Sequence, residues 1–337
     1  MKAEGKLEGA TAQMRAWICH AFGDYRGLEC GQRAIPQPAP GEALVRVRAF
    51  APGFPDMLMT QGLYQLKPAL PFTPCAEFAG EVAALGVGVE GLAIGQQVMG
   101  VARFGAAADF ICWKAAELLP VPPAFDFGTA AAYLVAYKTA WVGLVVRGGL
   151  QPGEILLVLG AAGGVGLAAV ELGKRLGATV IASASTPEKR AAATAMGADH
   201  VLDATEPRFR DQVKALTNGR GADVIYDPVG GDAFDEALHC IAPFGRVLVI
   251  GFASGRIPSV SVNYALIKQI AIIGVRAGEY GRLNPSGGSA VNAALAERAA
   301  QGEFHPHVHR RFRFDELLAA FDEIAERRVI GRIVVET

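Results

Sequence analysis

An α/β fold is predicted, with a doubly wound parallel six-stranded sheet joined to a partly open β-barrel domain, and three observations predict it. Between Ile155 and Val275, apolar runs of strand length (ILLVLG, TVIASA, HVLD, DVIYD, RVLVIG and IAIIGV) are interleaved with stretches of helical apolar spacing (LAAVELGKRLG, PEKRAAATAMG, RFRDQVKALTNG and DAFDEALHCIA). Alternation of this kind builds a parallel sheet covered by helices on both faces. From Met14 to about Pro123, by contrast, short runs such as ALVRVRAF, FAGEVAALG and QQVMGVA are broken by Gly and Pro without helical periodicity, which is the texture of a small barrel. A length of 337 residues also exceeds what one compact core usually fills.

The elements follow in order. The first strand-like pattern starts at Met14, so residues 1–13 read as a flexible extension. The Ala-rich helical stretch TAAAYLVAYKTAWVGLV, beginning at Thr129, leads from the barrel-like region into the first sheet strand. Beyond Ala277 the chain returns to loops and short strands with one helix, FDELLAAFDEIAER, and closes on GRIVVE.

Composition narrows the function. Lys plus Arg number 32 against 33 Asp plus Glu, so no global field favours nucleic acid or an anionic membrane. Cys19, Cys30, Cys75, Cys112 and Cys240 lack paired short spacings, which fits reduced thiols in a cytoplasmic protein and neither a disulfide framework nor a zinc knuckle. No apolar run approaches the ~18 residues of a membrane-spanning helix, and MKAEGKLEGATAQ lacks a signal-peptide core.

The run ILLVLGAAGGVGLAAV, from Ile155 to Val170, sets a glycine turn between an apolar strand and an Ala/Leu helix. That geometry aims backbone N–H groups and the positive helix end at a pyrophosphate. Gly163 admits close phosphate approach and Gly166 close helix packing, while Ala161 stands where the strict fingerprint has its first Gly. No Lys-Ser or Lys-Thr follows, which argues against an ATPase-type loop.

About twenty residues on, where such folds present an acid to the adenosine ribose, the chain reads IASASTPEKR from Ile181 to Arg190. Ser183, Ser185, Lys189 and Arg190 supply hydroxyls and cations suited to a 2′-phosphate, which points to NADPH over NADH. The same residues also read as a solvated helix start, with Thr186 as N-cap and Pro187 in the first turn. Both readings hold together, because a capped helix start is itself an anion site.

These motifs resemble the medium-chain dehydrogenase/reductase superfamily, in its zinc-free quinone oxidoreductase branch related to zeta-crystallin. The resemblance runs from Met14 to the end through FPDMLMTQGLYQLKPALPFTPCAEFAGEVAALG, VAYKTAWVGL, LQPGEILLVLGAAGGVGLAAVELGKRLGA, GADHVLDA, DVIYDPVGG, GRVLVIGFASG and GRIVVE. It implies a GroES-like partly open β-barrel catalytic domain over residues 14–133 and 277–337. A Rossmann NADPH-binding domain over 134–276 interrupts it, with the active site in the cleft between them. It also implies a homodimer formed through the edge strand at 270–275.

Against the zinc alcohol dehydrogenases of the superfamily, Gly53 stands at a Cys ligand position and Ala76 at a His ligand position. Of the structural zinc lobe only Cys112 remains nearby. Cys75 beside Glu77 does not make a three-ligand catalytic site, so no metal is expected. His305, His307 and His309 alternate on one strand face, but no Cys or carboxylate joins them locally, and they read as a packed or solvated strand.

By matching to the family, Tyr64 is the candidate catalytic residue, either donating a proton or packing against the nicotinamide. Ala162, Gly163, Gly164 and Val165 are expected on the pyrophosphate, with Ser185 and Lys189 on the 2′-phosphate. Gly251, Phe252, Ala253, Val275, Arg276 and Ala277 are expected to line the nicotinamide side through their backbone, and Arg332 to reach the cofactor phosphates. A family residue on the 2′-phosphate falls on Ala204 here, leaving Arg208 or Arg210 as substitutes, and Tyr137 and Thr139 either support the pocket or pack in the core. Gly53 replaces a common Asn, and Arg276 stands where an apolar residue is usual, suited to an anionic group such as a carboxylate or a CoA phosphate. The implied activity is metal-independent, NADPH-dependent reduction of quinones or α,β-unsaturated carbonyls. The alternatives are a 2-enoyl thioester reductase and a crystallin-like NADPH-binding protein with little turnover.

Overall fold

The structure is a computed structural model that describes residues 12–337. The chain divides into two compact units: the described part of Met1–Leu134 with Arg310–Arg328 and Ile333–Thr337, and Val135–His309 with Val329–Arg332. Of the expected N-terminal extension, residues 1–11 lie outside the described residues, while Gln13 already opens the first strand opposite Ala34.

The first unit is built on short strands: β1 (Gln13–Ile18), β2 (Glu29–Ala34), β3 (Glu42–Ala51), β4 (Glu77–Leu85), β5 (Gln97–Val101), β6 (Phe110–Lys114) and β7 (Leu119–Pro120). β1 and β2 form an antiparallel pair. The others join a seven-stranded sheet in the order β14-β15-β3-β4-β5-β7, with β6 on the free part of β3; β14 is Val308–Arg313 and β15 is Arg332–Glu336. Gly80 is needed where β3 and β4 shift register, because a Cβ there would stand 2.0 Å from the Arg46 carbonyl oxygen. Helix α1 (Phe54–Thr60) follows β3, and its first turn is closed by the buried Asp56 side chain accepting from the Gly53 amide at 2.8 Å.

The second unit holds the parallel sheet: β8 (Ile155–Val158), β9 (Thr179–Ala184), β10 (His200–Asp203), β11 (Ala222–Asp227), β12 (Ile241–Val249) and β13 (Ala271–Gly274), in the order β10-β9-β8-β11-β12-β13. This is the Rossmann order, with the reversal of winding between β8 and β11. One face buries Leu157, Ile181, Leu202, Ile225 and Val247 against Phe209, Val213 and Phe234. On the other, α4 (Gly164–Arg175) comes so close to β8 that a Cβ on Gly173 would meet Leu156 at 2.4 Å. Fully burying such side chains stabilises the unit by about 1.5–3 kcal/mol each. Near-continuous apolar strands are therefore what this sheet demands, and these runs were readable in advance.

Two departures from the expected layout bear on the site. The helix expected over DAFDEALHCIA stops early, as α7 (Gly231–Leu238), and β12 begins at Ile241, with a register irregularity against β11. After β13 the chain forms helices α9 (Ala277–Leu283) and α10 (Pro285–Ala300) in place of loops. Asn284 caps α10 by accepting from the Gly287 amide at 3.1 Å, and Pro285 sits in its first turn. Gly288 has its helical neighbour so close that a Cβ would lie 2.7 Å from the Gly281 Cα. Residues 277–309, expected with the barrel-like domain, thus lie in the unit of the parallel sheet. No helix among the described residues is long and apolar enough to cross a membrane.

Candidate dinucleotide site

The site is assembled at the carboxyl ends of the parallel strands, beginning with the turn after β8. Gly160 takes φ +55°, the Ala161 amide donates to the Ser183 carbonyl at 3.0 Å, and the Gly163 amide donates back to the Gly160 carbonyl at 3.0 Å. Gly166 lies against this turn, where a Cβ would stand 2.4 Å from the Gly160 oxygen. Helix α4 starts immediately after Gly163 with no side-chain cap. The amides of its first turn and the positive end of its dipole are therefore the local anion-binding groups.

A second strand of chain lies along this turn. The Gly331 amide donates to the Ala162 carbonyl at 2.7 Å, and Gly331 bridges to Gly163. A Cβ on Gly164 would stand 2.4 Å from Arg332 Cδ, so the arginine stem runs over the helix start. The Arg332 amide in turn donates to the His307 carbonyl at 2.9 Å, and a Cβ on Gly331 would collide with that carbonyl oxygen at 2.3 Å. Ala162, Gly163, Gly164, Val165 and Arg332 are thus brought together.

At the end of β9, Ser183 is buried and Ser185 exposed. Thr186 caps α5 (Pro187–Ala195) by accepting from the Lys189 amide at 3.3 Å. Arg190 is pinned through Nη1 alone, to Asp203 Oδ2 at 2.7 Å and to the Ala184 carbonyl at 3.3 Å, with its side chain 22% exposed. Asp203, at the end of β10, also accepts from the Thr205 hydroxyl at 2.6 Å and amide at 2.9 Å, and these bonds with Arg190 beside them hold its carboxyl below the ordinary range. The acid absent from β9 therefore enters from the next strand, already paired with a cation. Arg208 and Arg210 are engaged elsewhere, by Asp211 at 3.1 Å and Glu236 at 3.4 Å respectively.

On the other side of the sheet's reversal, the buried Asp227 at the end of β11 shapes the turn. Its Oδ1 accepts from the Val229 amide at 2.7 Å and the Gly230 amide at 2.9 Å, which leaves Oδ2 buried without a hydrogen bond. Burial pushes this carboxyl above the ordinary range, against those two bonds. Gly230 and Gly231 both have positive φ, and Cβ atoms there would meet Phe252 at 3.0 Å and Ser254 Oγ at 2.6 Å. The loop bearing Gly251, Phe252 and Ala253 is fastened on this turn, Ala253 donating to the Pro228 carbonyl at 3.1 Å. Val275 donates to the Val249 carbonyl at 2.9 Å and leads to the exposed Arg276 and the buried Ala277.

Tyr137 and Thr139 serve packing. The buried Tyr137 hydroxyl donates to Glu171 on α4 and its ring lies 4.7 Å from that of Phe304. The Thr139 hydroxyl bonds the Val135 carbonyl at 2.6 Å. Glu171 also receives the His305 amide at 3.2 Å and faces its Nδ1 at 2.9 Å. Partial desolvation lowers the pKa of the exposed His307, with His309 adding to the effect. No three potential ligands converge on a metal position among the described residues.

Tyr64 belongs to the first unit, in the loop after α1, where its amide donates to the Leu58 carbonyl at 3.2 Å. It is partly exposed, and its hydroxyl makes no hydrogen bond with the described residues. In the same unit Gly53 and Ala76 offer no metal donor. The donor set therefore does not fit the catalytic zinc of the alcohol dehydrogenases, which needs three protein ligands.

Residues 39–144 match the alcohol dehydrogenase GroES-like domain, and residues 164–294 match the family described as zinc-binding dehydrogenase. A quinone oxidoreductase-like protein 2 homolog of Nematostella vectensis is 36% identical over 93% of this chain and 89% of its own length. A quinone oxidoreductase of Pseudomonas aeruginosa is 32% identical over 94% of this chain and 97% of its own. Among solved structures, a mycobacterial protein complexed with NADPH superposes with a TM-score of 0.89 at 29% identity, covering 96% of this chain and all (100%) of that one.

The raised pKa of Asp227 has a definite sign. The folded state keeps its proton to higher pH than the unfolded chain, so stability is lost as pH rises from the unfolded value of 3.8 through the folded pKa and is level above it. Asp227→Asn keeps an acceptor for the two amides and does not titrate. The difference in melting temperature, wild type minus variant, should fall as pH rises above about 4. A difference that grows with pH would mean that the turn stabilises the ionised carboxylate.

Proposed function

The chain belongs to the medium-chain dehydrogenase/reductase superfamily, in its zinc-free quinone oxidoreductase branch, and from that premise we propose that it is an NADPH-dependent reductase of quinones or α,β-unsaturated carbonyls. A nicotinamide cofactor is a property of the family. The observation that carries the rest is the combination of an intact glycine turn with Gly53 and Ala76 at the two zinc-ligand positions. Without a Lewis acid an alcohol lacks activation, whereas an acceptor that is already electrophilic needs only hydride, positioning and a proton.

When bound, NADPH supplies the hydride. Ala162, Gly163, Gly164 and Val165 hold the pyrophosphate on the first turn of α4, with Arg332 laid over the same turn. Ser185 and Lys189 take the 2′-phosphate, and the pinned Arg190 turns its remaining guanidinium donors to the same end of the site. Gly251, Phe252, Ala253, Val275, Arg276 and Ala277 carry the nicotinamide side through their backbone. Tyr64, whose hydroxyl is not committed to a described partner, supplies the proton to the reduced acceptor.

The protein works as a homodimer paired through β13 in this reading. That strand ends the sheet with an open edge; Ile272 is exposed on it, and Val262, Leu266 and Ile267 are exposed in the segment that leads into it. Sedimentation should give a dimer for the wild type and a monomer for Ile272→Lys; a monomeric wild type would refute the pairing.

The test of the activity is transfer of label from C4-deuterated NADPH on metal-stripped protein, offered a quinone, a small enone and an enoyl-CoA, with products read by mass. Label should enter one acceptor class, and faster than from labelled NADH. Tight NADPH binding with no label in any product would refute reduction of these acceptors.

A further inference from the structure

The end of β13 carries a guanidinium that the proposed cofactor contacts leave unused. Arg276, the residue immediately before α9, has a side chain 51% exposed, and its ionic partner Glu279 stands 3.9 Å away, beyond hydrogen-bond reach. Its guanidinium makes no hydrogen bond with the described residues. Glu279 is instead occupied by Arg282, whose Nε donates to it at 2.7 Å. At α9, then, Arg276 and Arg282 share the Glu279 carboxylate, and the hydrogen bonds belong to Arg282.

Position gives this guanidinium a meaning. In a sheet of this winding, ligands lie outside the carboxyl ends of the strands. The adenosine half of a dinucleotide at the α4 turn runs toward β9, so the nicotinamide half runs toward β11 and β12. The end of β13 lies beyond, two strand spacings or about 10 Å from the end of β11. That is the place for the molecule that receives the hydride. A planar guanidinium with free donors suits a carboxylate, sulfonate or phosphate oxygen pair far better than a neutral carbonyl.

We infer that Arg276 recognises an anionic group carried by the hydride acceptor, which makes the acceptor class anionic quinones or anionic α,β-unsaturated carbonyls, thioesters included. The inference rests on the reductase reading above and names the substrate class for it. The anion is either a group on the acceptor itself or a phosphate of a coenzyme A tail, and the two have separate arms in the test.

The protein is loaded with NADP⁺, which cannot deliver hydride, and the affinity of two matched pairs is measured by calorimetry: 1,4-naphthoquinone with its 2-sulfonate, and the crotonyl thioester of N-acetylcysteamine with crotonyl-CoA. The wild type should bind the anionic member of at least one pair ten-fold or more tighter than the neutral member. Arg276→Leu should erase that ratio and Arg276→Lys should retain most of it. The neutral member is the internal reference, since a general loss of folding or cofactor weakens both members alike. No preference in either pair, or a preference that survives Arg276→Leu, overturns the inference. NADPH oxidation with the same compounds separates the two ideas: an Arg276-dependent preference without turnover refutes the reductase reading and keeps the anion site, and turnover without preference does the reverse.

Discussion

The close approach of backbone to backbone at the turn after β8 is the constraint on which the second unit depends. Gly166 lies where a Cβ would stand 2.4 Å from the Gly160 oxygen, and no side-chain movement relieves a clash between main-chain atoms. Because α4 can begin there, its uncapped amides point out of the carboxyl edge of the sheet. Because Gly331 and Gly164 are also bare, a second segment carries Arg332 across the same helix start. Gly164 and Gly166 at the start of α4, with Gly331 from far along the chain, thereby create one anion-binding surface.

Electrostatics along that edge are arranged in sequence. At the β9 end a cation is held by an acid from the neighbouring strand, so Arg190 is oriented without being surrounded. At β11 a buried carboxyl organises a glycine turn and suffers desolvation for it. At β13 the Arg276 guanidinium makes no hydrogen bond with the described residues. The same edge thus offers side-chain donors toward both ends and the backbone amides of the glycine turn between, a distribution suited to a phosphate-bearing cofactor and a second, smaller partner.

Much of this was legible in the sequence, for physical reasons. Strands β8, β9 and β11 are buried along nearly their whole length, so each shows as an apolar run bounded by Gly or a polar turn, and the glycine loop declares itself because a side chain there would collide. Helices α9 and α10 were not legible: PSGGSAVNAALAERAA is poor in large apolar residues, since Gly288 packs against Gly281 by leaving space empty. The Asp203–Arg190 pair was missed because the acid was sought on β9, and strand order alone brings β10 beside it. For Tyr137 the sequence leaves pocket and core packing both open, because its partner Glu171 lies in the middle of α4, where an acid reads as an ordinary exposed helix position.

The central claim, that the first turn of α4 and the strap at Gly331 hold the cofactor phosphates, is tested most directly by amide hydrogen exchange followed by mass spectrometry, with and without saturating NADPH. The account predicts slowed exchange concentrated in peptides covering Ala162–Gly166 and Gly331–Arg332, with a further effect over Ser185–Arg190 that NADH fails to produce. Protection that leaves the glycine turn unchanged while NADPH is bound would contradict it.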